Sequence, residues 1–159
     1  MKYLHLRAGK RAMVDDEDYL RLAPFTWYLS PNGVIIRADY NPPLGKDKSI
    51  TIAREVLGIT DARMVTYRNG NNLDNRRSNL LLGTCSQVRA HKRLSARNTS
   101  GYRGVTWDKV HKTWQGQITV NGRTHALGRS SDPRKLALKY NQAALSAFGE
   151  FAQVNEVTE

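Results

Sequence analysis

Gln115, Gln117 and Thr119 alternate along residues 113–120 with Trp114, Gly116, Ile118 and Val120. Successive side chains of a strand point to opposite faces, so this run sorts into one apolar and one polar face. The apolar face needs cover, and Gly116 lets that cover approach closely. The polar face offers groups that match base edges, since Gln bonds adenine in bidentate fashion. Arg103, Lys109, Lys112 and Arg123 lie around the run, suited to phosphate or guanine. Trp114 is expected in the core. For Trp107, core packing and stacking on a DNA sugar both stay open.

A second concentration of chemistry is basic. Residues 63–103 hold nine cations: Arg63, Arg68, Arg76, Arg77, Arg89, Lys92, Arg93, Arg97 and Arg103. They hold one acid, Asp74, for a local excess of +8 (nine minus one). The whole chain carries 25 Lys plus Arg against 14 Asp plus Glu, a net +11. So strong a positive field points to a polyanion, most often nucleic acid.

Other chemistries are thinly represented. Cys85 is the single cysteine, which excludes a disulfide framework and a multi-cysteine zinc site. His5, His111 and His125 show no ligand spacing. No apolar run approaches the roughly 20 residues of a membrane span, so no membrane partner is expected. The N-terminal MKYLHLRAGKR has no apolar core of a signal peptide. The expected setting is therefore the cytoplasm, that of a host cell if the chain is phage-encoded.

The elements that must position these residues read as α+β. With 159 residues, the chain suits one domain or two small ones. Short strands punctuated by turns fill the N-terminal part, with Ser30-Pro31-Asn32-Gly33 as a hairpin signal. Asp15-Asp16-Glu17-Asp18 suits the first turn of a short helix. Residues 41–45 read as a loop, and Ile52, Val56 and Ile59 fit one helical face. Residues 64–93 read as strand, loop, strand, helix, with Thr84 or Ser86 as cap. Residues 94–100 read as a linker. Three β runs follow, at 102–107, 113–120 and 123–127, with Asn121-Gly122 as a type I′ turn. Ser131-Asp132-Pro133 opens a helix whose apolar stripe runs from Leu136 to Phe148 and stops at Gly149.

Two sets of words carry family resemblances. The first is Ser100-Gly101-Tyr102-Arg103-Gly104-Val105, then Lys112-Thr113-Trp114-Gln115-Gly116-Gln117-Ile118, Asn121-Gly122, Leu127-Gly128 and Gly149-Glu150-Phe151-Ala152. Residues 98–155 thereby resemble the AP2/ERF DNA-binding domain. That resemblance implies a three-stranded antiparallel sheet laid in the DNA major groove with one helix behind it. Thr124 and Ala126 stand where that family often carries larger side chains.

The second set is Val65-Thr66-Tyr67-Arg68-Asn69-Gly70-Asn71, Leu73-Asp74-Asn75-Arg76-Arg77-Ser78-Asn79-Leu80 and Ser86-Gln87-Val88. It resembles the HNH motif of phage-type homing endonucleases, a ββα unit, and the pairing with a following AP2 domain is known in that family. The implied division is an HNH-like domain over 1–93, the linker 94–100 and an AP2-like domain over 101–155.

The departures from the HNH pattern bear on activity. Such chemistry needs a divalent cation on the scissile phosphate and a general base for water. The family's Asp ligand falls on Thr66, its His base on Tyr67 and its second ligand on Val88; only the central Asn persists, as Asn79. Thr is a weak neutral ligand, Val offers no lone pair, and a phenol with pKa near ~10 is a poor base at neutral pH. His91, three residues after Val88, or Asp74 would have to rescue the site. The expected roles are otherwise: His91 on phosphate or in solvent, Asp74 and Asn79 as braces of the loop.

The expectation is a double-stranded DNA-binding protein, a pseudoenzyme descended from an HNH–AP2 endonuclease, without cofactor or metal. Its DNA-contacting residues would be Arg68, Arg76, Arg77, Arg89, Lys92, Arg93 and Arg97 from the middle. Arg103, Lys109, Lys112, Gln115, Gln117, Thr119 and Arg123 would join them from the C-terminal part. One alternative is an active nicking endonuclease using Mg²⁺ or Mn²⁺. Another is a phage effector that grips a host protein or nucleic-acid machine.

Overall fold

The computed structural model describes residues 1–7, 9–39 and 48–157; the loop expected at 41–45 lies outside them. The chain is α+β, built from small sheets and, among the described residues, four α-helices. It divides into two compact units, Met1–Leu82 and Gly83–Glu159. The division falls ahead of the expected linker at 94–100. Residues there belong to the second unit, where Ser100 Oγ donates to the Val105 carbonyl at 2.7 Å and Asn98 Nδ2 to the Tyr102 carbonyl at 3.0 Å.

In the first unit, β1 (Lys2–His5) and β2 (Arg11–Val14) pair antiparallel with Leu4 opposite Ala12. Their alternation buries Leu4, Ala12 and Val14. α1 (Asp16–Leu22) opens with three acids, which suit the positive end of a helix. Trp27 is buried beside it and donates its indole N–H to the Leu22 carbonyl at 2.9 Å. β3 (Tyr28–Leu29) and β4 (Ile35–Asp39) flank the predicted hairpin turn, where the Gly33 amide donates to the Ser30 carbonyl at 2.8 Å. β5 (Lys48–Thr51) pairs with β4 and leads into α2 (Ile52–Leu57). α2 buries Ile52, Ala53 and Val56, then stops at Gly58 in a left-handed cap, short of the Ile59 that its periodicity suggests. β6 (Met64–Tyr67) and β7 (Leu80–Gly83) form a further two-stranded sheet.

The second unit begins with α3 (Cys85–Ala90). Thr84 caps it in a reciprocal box: Thr84 Oγ1 accepts from the Gln87 amide at 3.3 Å, and Gln87 Oε1 accepts from the Thr84 amide at 2.9 Å. The helix ends three residues before Arg93, to which the sequence pattern extends it. β8 (Val105–Asp108), β9 (Thr113–Val120) and β10 (Arg123–Ser130) then form an antiparallel sheet with β9 in the centre. Asn121 and Gly122 both have positive φ, 50° and 80°, as a type I′ turn requires. α4 (Pro133–Phe148) starts with Pro at its first position and Asp132 as cap, accepting from the Arg134 amide at 2.9 Å. It packs on the sheet, burying Leu136, Ala137, Tyr140, Ala144 and Phe148.

Candidate nucleic-acid interface

Gly116 fixes which face of the sheet receives α4. A Cβ at Gly116 would sit 3.2 Å from the Leu136 side chain, so the helix lies against the face of Gly116 and Ile118, both buried. Gln115, Gln117 and Thr119 therefore point the other way. The pairing register arranges neighbours around them in rows. Thr106, Gln115 and Arg129 form one row, Gln117 and Ala126 the next, Thr119 and Thr124 the last. Thr106, Thr119, Thr124, Ala126 and Arg129 are exposed, and the two glutamines are half-buried. Thr119 and Thr124 share a hydroxyl–hydroxyl bond of 3.0 Å across the strands. The result is a face of amides, hydroxyls and one guanidinium.

Arg129 was not among the residues the sequence pattern singles out. Plain alternation from Thr124 and Ala126 would put Gly128 opposite Gln115 and turn Arg129 to the helix side. Instead the ladder skips a residue: Ala126 pairs with Gln117 and Gly128 with Gly116. Leu127 is the extra residue of a β-bulge, and Gly128 takes φ 110°, a backbone state that glycine accepts. The bulge brings Arg129 round to the polar face. The available signal was the Leu127-Gly128 pair itself, since a glycine inside a strand pattern marks such a bulge.

Asp108 governs the electrostatics of the adjoining corner. Its carboxylate lies 2.7 Å from His111 Nδ1 and 3.4 Å from Arg129 Nη2. The His111 ring, and then the His111 and Val110 backbone amides, hold Asp108 below the ordinary carboxylate range. Lys109 and Lys112 sit exposed in the same β8–β9 turn, with Lys112 at φ 48°. Trp107 stands 45% exposed and meets Trp114 edge to face, ring centres 5.0 Å apart, so only part of its ring serves the core. Arg123 is exposed at the start of β10, paired with Val120 rather than with the glutamine rows.

The second unit brings Arg89 and Arg103 to the walls of one cleft together with Gln117 and Thr119. Lys92, Arg93 and Arg97 are exposed along the irregular stretch that follows α3. The first unit uses its arginines differently. Arg77 is paired with Asp18 at 2.8 Å and with Glu17 at 3.2 Å. Arg76 forks onto Asp74, Nε to Oδ1 at 2.8 Å and Nη2 to Oδ2 at 2.7 Å. Arg68 is exposed, with its amide donating to the Asn79 carbonyl at 2.8 Å.

The positions that the HNH resemblance marks have structural occupations. Tyr67 donates to Asn75 Oδ1 at 3.2 Å, and burial pushes its hydroxyl up to about 12, so it stays protonated at neutral pH. Asn79 spends its amide on the loop: Nδ2 donates to the Asp74 carbonyl at 2.7 Å and Oδ1 accepts from the Asn69 amide at 3.0 Å. Asp74 is buried, and the Arg76 side chain keeps its carboxyl low against the opposing effect of burial. Thr66 is half-buried on β6. Val88 is buried on α3, an element of the second unit. His91 Nδ1 lies 3.1 Å from Gln153 Nε2, with its ring edge-on to Phe151. Within the first unit, Thr66, Tyr67 and Asn79 offer a neutral hydroxyl, a phenol and an amide oxygen already bonded, all poor ligands for a hard divalent cation.

Comparison with known proteins finds Protein 3.8 of Escherichia phage T7, 27% identical over 89 residues, which span 56% of this chain and 73% of that protein. No family model and no solved structure matches. Among the described residues no helix is long and apolar enough to cross a membrane.

Proposed function

We propose that this chain binds double-stranded DNA through the Gln115–Gln117–Thr119 face of its second unit and does not cut it. One observation carries the reading: α4 covers the opposite side of the sheet, leaving a face on which Arg129 stands beside Gln115. Arg is suited to the O6/N7 edge of guanine and Gln to the N6/N7 edge of adenine, and both edges open into the major groove. The net charge of +11 supplies the long-range attraction to a duplex. The sheet order, the Asn121-Gly122 turn and the single helix behind are what the resemblance to the AP2/ERF domain leads one to expect. By the same reading, the first unit descends from an HNH endonuclease and keeps its turn as a brace. Its Arg76 and Arg77 then serve the loop and α1 rather than phosphate.

The test is a supercoiled plasmid carrying pure wild-type protein with Mg²⁺ or Mn²⁺. The expected outcome is a retarded band that returns to supercoiled plasmid after protein removal. Nicking that is lost in an Asp74→Ala, His91→Ala double variant would instead establish the endonuclease reading.

A further inference from the structure

α3 packs against α4 and the turn at 149–151, and a bond ties it to the sheet. The Asn121 amide donates to Ser86 Oγ at 2.9 Å, latching the helix to the β9–β10 turn. Between α3 and the sheet lies a cleft of about 500 Å³. Tyr140 and Phe148, both nearly buried, form part of its lining. Gly104 shapes that lining. It takes φ 75°, and a Cβ there would run into the Tyr140 ring and come within 2.6 Å of the Gln117 carbonyl oxygen. Only glycine lets the chain pass so close.

The electrostatics of the cleft are one-sided. Arg89 enters from α3 and Arg103 from the segment before β8. Its described lining contains no acidic side chain, and among the described residues neither guanidinium has an ion pair. Thr84 and Ser86 line it from the start of α3, and Gln117 and Thr119, whose side chains point to the other face of the sheet, border it as part of β9. Two unpaired guanidiniums among neutral donors select an anion, and a planar fork suits phosphate oxygens. A cleft of this size accommodates more than a bare ion.

We propose that the cleft receives one sugar–phosphate unit of the DNA strand bordering the sheet face, with Arg89 and Arg103 holding its phosphate. The proposal rests on the duplex-binding reading above and adds a phosphate contact from α3. The same chemistry could come from a free nucleotide, so the test separates the two sources. Cys85 is exposed, lines the cleft and is the only cysteine, so its alkylation by iodoacetamide reports on the site alone.

Alkylation is followed for the full chain alone, with a duplex, and with dAMP. In parallel, duplex affinity is measured against salt for wild type and an Arg89→Gln, Arg103→Gln double variant whose fold is checked by circular dichroism. Duplex is expected to slow alkylation several-fold while dAMP at equal nucleotide concentration does not. The salt slope of the double variant is expected to fall by about 1, for the one phosphate contact the pair makes. Wild-type binding with unchanged slope in the variant and unprotected Cys85 would overturn the cleft and leave the duplex reading standing. Protection by dAMP but not by duplex would make it a free-nucleotide site and overturn the phosphodiester assignment. Absence of duplex binding by wild type would overturn the duplex reading, and the cleft assignment with it.

Discussion

Arg129 lies directly opposite Gln115 across the β9–β10 ladder, on the polar face, because the bulge at Leu127 reverses the alternation between them. Two side chains with complementary base preferences thereby stand in one row with Thr106. Replacing Arg129 by Gln removes the guanidinium and keeps hydrogen-bonding capacity. Affinity for a preferred duplex should fall by about 1–3 kcal/mol, with relaxed preference at one base position. Its ion pair with Asp108 is exposed on the arginine side, so thermal stability should change little. Binding titrations on duplexes varied one base pair at a time, beside a melting curve, check both halves.

Gly128 is the backbone condition for that placement. At φ 110° an L-residue is strained, whereas nothing crowds its Cβ more closely than Lys139 Nζ at 3.6 Å. Gly128→Ala should therefore cost roughly 1–3 kcal/mol through backbone strain alone. Relief of that strain by straightening the strand would turn Arg129 away, so DNA affinity should drop together with stability. Chemical denaturation of the full chain, paired with duplex binding, measures the two effects.

Asp108 places a negative charge beside the face proposed to hold the duplex. Asp108→Asn keeps an acceptor for the Val110 and His111 amides while removing a negative charge from the corner shared with Arg129. Duplex affinity should rise a few-fold at low salt, and the gain should shrink as salt screens the charge. Affinity measured at two ionic strengths decides this.

Asp18 links stability to pH. Burial raises its carboxyl, but bonds from Arg77 and Arg21 outweigh that and leave it below its ordinary 3.8. A group depressed in the folded state contributes its full stability above the unfolded pKa and loses it as pH falls through the folded one. The first unit should thus lose stability below about pH 4. Asp18→Asn should lower stability near neutrality by about 2 kcal/mol and flatten that acid limb. Denaturant midpoints from acid to neutral pH, for wild type and variant, are the measurement.

Tyr67→Phe separates brace from chemistry. It deletes the bond to Asn75 Oδ1 and leaves that buried amide oxygen short of a partner, a cost of about 1 kcal/mol. DNA affinity should not change. Loss of a nicking activity in this variant would contradict the structural role given to the phenol.

Local signals made much of this legible in the sequence. The period-two run at 113–120 gave the two faces of β9, the Asn-Gly pair its turn, and Pro133 with Gly149 the bounds of α4. What escaped were effects that depend on long-range pairing. The bulge at Leu127 changes parity only because β9 fixes the register of β10. α3 sits with the second unit, held by Ser86 on the Asn121 amide, a bond between residues 35 apart. Arg77 finds Asp18 across 59 residues, so its charge looked available when it was internally spent. The loop braces, Asp74 with Arg76 and Asn79 with Asn69, were readable because their partners lie within ten residues.

The central claim is tested most directly by the affinity of the wild-type chain for a labelled duplex between 50 and 200 mM salt. Several cations on the interface should each displace counterions, so affinity is expected to fall by about 10³-fold or more if six phosphates are contacted. Binding that is flat across that range, or no binding at low salt, would contradict a DNA-holding role for the Gln115–Arg129 face.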